Sequence, residues 1–241
     1  MIKAGFILLT ILMATLLYIG IAAVANRAIT DASKQKQFKT RSLLILGGWL
    51  TYVSLLSLTG IFTTAELPPR VPLLLILPCL LFIFWFFKSN RFSNLISATP
   101  AGWLVYMQGF RIVVELLLLG MYTEGMIPRA STFEGYNYEI LIGVSAFGIG
   151  YFGYTKKVLP PNLIIFWNFA GNLTLAIIGF IMISHAYFPH IYTNPGYLSI
   201  KEFGSFPYTL FAGFIAPVAI FMHIFSIIKT KREVYADRDT A

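Results

Sequence analysis

Seven apolar stretches, separated by short polar or turn-rich segments, lie at about residues 5–25, 43–62, 71–87, 101–124, 138–154, 162–186 and 208–228. Each is 17 to 25 residues long. A helix of that length, rising about 1.5 Å per residue, crosses a hydrocarbon layer about 30 Å thick. Backbone groups in lipid must be satisfied within their own segment, so apolar runs of this kind read as helices. The pattern predicts an all-α polytopic integral membrane protein, a single domain built as a bundle of seven transmembrane helices. A short charged tail over 229–241 is expected to be mobile.

Smaller features modulate the pattern. Pro68-Pro69 and Pro160-Pro161 mark turns, and Pro78 is expected to kink the third span. The fifth stretch places Gly143, Ala146, Gly150 and Gly153 at helical spacing, which lets two helix backbones approach closely. Packing inside the bundle is the expected use, with homo-oligomer formation as the alternative. The segment 187–207, rich in Pro, Gly and aromatics, suits the lipid interface.

Composition agrees with the pattern: 57% of residues are hydrophobic, 12% are charged and the mean hydropathy is +0.75. The net charge of +8 changes the picture only through its placement. The loops 26–42, 88–99 and 155–161 and the tail hold five, two, two and four Lys or Arg. The opposite side holds Lys3, Arg70, Arg129 and Lys201. Bases in short loops are orientation signals and no sign of nucleic-acid binding, and they place the N-terminus outside and the C-terminus in the cytoplasm. Ala23-Val24-Ala25 resembles a signal-peptidase site. Cleavage there would export the five-base loop, so the first stretch is kept as a span. Short loops and compact size point to a bacterial inner (cell) membrane, with the lipid bilayer as the constant partner.

Candidate chemistry concentrates in the fourth stretch, where Gln108, Arg111 and Glu115 stand at i, i+3 and i+7 on one helical stripe. Arg111 falls near the bilayer midplane, where a charge costs about 2.5–3.5 kcal/mol on insertion scales. Glu115, four residues on, is its expected neutralising partner. Asn168 and Asn172 in the sixth stretch and His223 in the seventh fall at similar depths. With Gln108, Arg111 and Glu115 they form a candidate ligand-binding pocket in the inner half of the membrane. The alternative is polar packing that only fixes helix register, worth about 0.6–2 kcal/mol per contact. In the turn-rich loop 125–137, Glu134 and Asn137 are the candidates to fold back over the pocket. For Asn137 the plainer reading is a cap near a helix start.

No metal or cofactor is implied. Cys79 is the single cysteine, and His185, His190 and His223 are too scattered to spell a metal motif. HExxH, GxSxG and Walker-type motifs are absent. The leading expectation is a binding or transport module for a small, anionic solute or a lipid headgroup, held by the planar fork of Arg111. A membrane-embedded enzyme acting on a lipid-like substrate through Glu115 or His223, and a structural accessory subunit, are the alternatives.

Overall fold

The computed structural model describes residues 1–192 and 196–239, with side chains through Val234 in the last helix. It is all-helical, with no strand among the described residues. Five helical segments are long and apolar enough to cross a membrane: Ile2–Ala28, Ala32–Leu58, Ala101–Thr123, Pro161–Tyr187 and Phe211–Val234. A sixth results if Pro72–Lys88 and Asn90–Ala98, bent by 72° at their junction, form one span.

Helices α1 (Ile2–Ala28) and α2 (Ala32–Leu58) are joined by a tight turn. Asp31 caps α2, its carboxylate accepting from the backbone N–H of Ser33 at 2.8 Å and of Lys34 at 3.1 Å. The expected basic loop is therefore mostly the first turns of α2, because a capped run of Ala, Lys and Gln favours helix. Gly60, at φ +75°, ends this helix before the expected limit at residue 62. A π turn (Pro72–Ile76) leads into α3 (Leu77–Lys88), and α4 (Ser93–Ala98) follows. The fourth expected span is α5 (Ala101–Tyr106), a 3₁₀ turn (Met107–Phe110) and α6 (Arg111–Thr123). The fifth is α7 (Glu139–Gly150) with a π turn (Tyr151–Thr155). Helix α8 (Pro161–Tyr187) and the single-turn α9 (Ile200–Phe203) come next. A π turn (Phe211–Ile215) then opens α10 (Ala216–Asp239). The stretch read as a mobile tail is thus helical through Asp239, with Lys229 and Glu233 paired at 3.3 Å one turn apart.

The chain divides into two compact units. One comprises Met1–Thr99 and Ile200–Pro217. In it Phe6 packs edge-on against Tyr208, and Val53, Phe62, Leu75 and Leu210 form a buried cluster. Pro217 has no N–H to give the Gly213 carbonyl one turn back. The Trp49 indole supplies a donor there instead, at 2.7 Å.

The other unit comprises Pro100–Ser199 and Val218–Ala241. Its apolar cluster is Val105, Ile142, Ala146 and Trp167, with Ile149 and Tyr154 against it. The small-residue stripe of α7 faces the fourth span here. A Cβ built on Gly143 would lie 2.9 Å from Ile112 Cγ1 and 3.0 Å from the Ile112 backbone nitrogen. One built on Gly150 would meet the Tyr106 ring at 2.6 Å. The stripe serves close packing inside the unit, as its spacing suggested. Gly143→Ala is expected to destabilise by about 1–3 kcal/mol through overpacking, read as a lowered melting temperature in detergent. An unchanged melting temperature would show that α7 can move away at no cost.

Burial in this unit is inverted relative to a water-soluble core. Arg111 is the largest fully buried side chain, while Val113, Leu116, Leu141, Phe166, Phe169 and Leu173 are exposed. That is the distribution a hydrocarbon solvent favours.

Candidate functional site

The polar residues of the second unit converge on Arg111, which is 0% exposed. A change of helical pitch lies directly before it in the chain. The 3₁₀ turn over Met107–Phe110 carries Gln108 and ends where α6 begins, at Arg111 itself. Short 3₁₀ stretches inside a long helix often mark hinges or functional points. Side chains three apart eclipse in such a turn, so Gln108 and Arg111 stay on one face although they bond different neighbours.

Arg111 Nη2 donates to Thr174 Oγ1 at 2.7 Å, and Nη1 donates to His223 Nε2 at 2.9 Å. Both terminal nitrogens also lie 3.4 Å from the Gly171 carbonyl. Nη2 lies 3.2 Å from Glu139 Oε1, a buried ion pair. Glu139 opens α7 and is 1% exposed. The expected partner was Glu115, and the structure corrects that: among the described residues the ion pair of Arg111 is with Glu139. Glu115 is 0% exposed and turns instead to the Asn137 amide, which donates to its Oε1. Spacing of i, i+4 places two side chains on one face, but the ion-pair and hydrogen-bond partners of these two come from other elements.

Guanidinium nitrogens only donate, so His223 Nε2 must accept and Nδ1 carries the ring proton. Nδ1 donates to Asn168 Oδ1 at 2.9 Å. The Asn168 amide donates onward to Ser226 Oγ at 3.0 Å and to the Ile164 carbonyl at 2.8 Å. A directed relay therefore runs from Arg111 through His223 and Asn168 to Ser226. The Trp167 ring packs edge-on against His223 at 5.3 Å, and its indole N–H donates to Ser145 Oγ at 2.8 Å. Gly171 makes room for the relay, since a Cβ there would run into the His223 imidazole.

The loop between α6 and α7 closes the other side. Ser131, Thr132 and Asn137 are fully buried, and Ile127 nearly so. Asn137 Nδ2 also donates to the Ser131 carbonyl at 3.3 Å, and its Oδ1 accepts from the Glu139 N–H at 3.2 Å. One side chain thus joins loop, helix start and Glu115. The Met126 carbonyl accepts from the Ser199 N–H at 2.8 Å, tying the loop down. Glu134 is exposed and pairs with Arg129 at 3.6 Å, away from the buried cluster. The carboxylate that enters from the loop side is Glu139.

Of the predicted site residues, Arg111, Asn168 and His223 are brought into direct contact, and Glu115 and Asn137 into another. Gln108 donates to the Ala219 carbonyl at 3.1 Å, one turn from His223 on α10. Asn172 makes no bond through Oδ1, and its neighbours Gly171 and Thr174 serve Arg111. Sequence reasoning missed Glu139, Thr174, Gly171 and Ser226 as members of the cluster. Glu139 had one signal, an acid at the start of an apolar stretch facing a midplane arginine.

Five buried side-chain atoms lack a hydrogen-bond partner among the described residues: Gln108 Oε1, Arg111 Nε, Glu115 Oε2, Glu139 Oε1 and Asn172 Oδ1. The Glu139 oxygen has charge attraction from Arg111 but no N–H aimed at it. The Phe133 N–H turns towards the Glu115 carboxylate without closing a bond of good geometry on Oε2. All five lie on residues already singled out here, and native interiors satisfy nearly all such groups. No cluster of His, Cys, Asp and Glu among the described residues is arranged to hold a metal ion. In comparisons with known proteins, no family model, curated protein or solved structure matches this chain.

Proposed function

We propose that this is a multi-pass inner-membrane protein whose second unit is a binding or transport module for a small polar solute or lipid headgroup. The observation that carries the reading is the concentration of unsatisfied buried polar atoms around Arg111. Each would cost about 1–3 kcal/mol if left dry, and together they mark a site that accepts a polar guest. Arg111 itself serves as the frame of the site, since its two terminal nitrogens are already engaged.

In this reading the bent pair and α7 with its π turn complete seven spans. The helix over residues 139–155 is 17 residues long, about 25 Å. The lysine and arginine distribution puts the N-terminus outside and the C-terminus in the cytoplasm. The cluster then lies within the bilayer, shut from outside by the loop that carries Asn137.

The test is native mass spectrometry of the purified protein beside Gln108→Met and Asn172→Leu, which remove two unsatisfied acceptors and leave the Arg111–Glu139 pair intact. A defined small molecule retained by the wild type and lost from both folded variants is expected. Bulk lipid alone in all three would overturn the reading. One observation favours a second reading. Saturation of the Arg111 terminal nitrogens is what an accessory subunit would show if its cluster only fixed helix register.

A further inference from the structure

The buried site is unbalanced in charge and in hydrogen bonding, both in the same direction. Two carboxylates, Glu115 and Glu139, face one guanidinium, and the relay holds His223 in a neutral tautomer. The formal sum is one negative charge in a low-dielectric interior, where an uncompensated charge is strongly destabilising. Independently, four of the five unsatisfied atoms are acceptors: Gln108 Oε1, Glu115 Oε2, Glu139 Oε1 and Asn172 Oδ1. An anion would add to both surpluses. A small cation would relieve both.

We propose that the site binds one small monovalent cation, a proton or an alkali ion, at the Glu115 carboxylate beside Glu139. This rests on the binding-module reading and assigns the charge of what that module takes up, which replaces the anionic guest expected from Arg111 alone. Glu115 is the better of the two carboxylates for the role. Glu139 already has the Arg111 charge at 3.2 Å, whereas Glu115 has only neutral donors, the Asn137 amide chief among them. The charged or titratable groups around Glu115 are Arg111 on its own helix, Glu139 on α7, and His223 on α10 behind Arg111. Helix α8 carries no charged residue, sets the Gly171 carbonyl and Thr174 hydroxyl against Arg111 and Asn168 against His223, and has His185 as its one histidine, bonded to its own Ile181 carbonyl.

The experiment is thermal melting of the full chain in detergent. It compares sodium chloride, potassium chloride and choline chloride at equal ionic strength, at a series of pH values, for the wild type, Glu115→Gln and Glu139→Gln. Either substitution leaves one carboxylate against Arg111 and removes the surplus charge. A saturable rise in melting temperature with sodium or potassium over choline identifies an alkali ion, about 5–10 °C at a hundredfold excess over Kd. A melting temperature indifferent to the salt but falling as pH rises identifies a proton. In both cases Glu115→Gln loses the response, and Glu139→Gln loses it too, so the test survives the failure of one variant to fold. Identical salt and pH responses in the wild type and a folded variant overturn the proposal. Because this readout needs no solute, a flat response beside a retained solute would reject the cation and leave the binding module standing.

Discussion

Arg111→Gln is expected to destabilise the protein by about 3–5 kcal/mol, and adding Glu139→Gln to recover a substantial part of that loss. Removing the guanidinium leaves Glu139 buried without its counter-charge and leaves His223 Nε2 and Thr174 Oγ1 without their donor. Breaking a buried pair from one side is far more damaging than removing both members. The double-mutant cycle for Arg111 and Glu139 should give a coupling of about 1–3 kcal/mol, larger than the cycle for Arg111 and Glu115. Chemical or thermal unfolding in detergent measures both. Equal couplings would mean that the guanidinium serves the two carboxylates alike, and the surplus charge would then be shared between them.

The second large effect is expected at Gly171. Gly171→Ala would drive a methyl group into the His223 ring, which is 0% exposed and held at both nitrogens. Overpacking together with disturbance of the relay should cost about 3 kcal/mol. If the cause is this collision, Gly171→Ala combined with His223→Ala will be less damaging than the sum of the two single changes. Strict additivity would show that the glycine is needed for its backbone alone. His223→Ala by itself strands Asn168 Oδ1 and leaves Arg111 Nη1 with only the Gly171 carbonyl at 3.4 Å, so it will also be destabilising.

Both expectations concern stability, and the functional proposals depend on it in opposite ways. The Arg111 frame must hold for any site to exist, while the unsatisfied atoms of Gln108, Glu115 and Asn172 are the part that a guest could use. Variants of the first kind report on folding, and variants of the second kind report on binding.

The amino-acid sequence alone determined the helical class, and the positions of five long apolar helices to within a few residues at most ends. It also determined that Gln108, Arg111 and Glu115 share one face, and that the glycine stripe of α7 permits close approach. These are consequences of local period: 3.6 residues per turn and about 1.5 Å of rise hold wherever a helix forms. Where local signals compete, the boundaries moved. The Asp31 cap drew the basic segment into α2, and the expected tail became the last turns of α10.

Only the tertiary structure decided which partner each buried group takes. Sequence spacing offers Arg111 the nearest acid on its own helix. The folded unit instead presents Glu139 from α7, Thr174 and Gly171 from α8, and His223 from α10. Likewise Asn172, expected in the same pocket as Arg111, makes no bond through Oδ1, and its neighbours Gly171 and Thr174 meet the guanidinium. The physical reason is that a buried charge is stabilised by whatever donors and acceptors three-dimensional packing brings within about 3 Å. Residues far apart in sequence become neighbours only when the helices pack, and no periodicity along the chain encodes that choice.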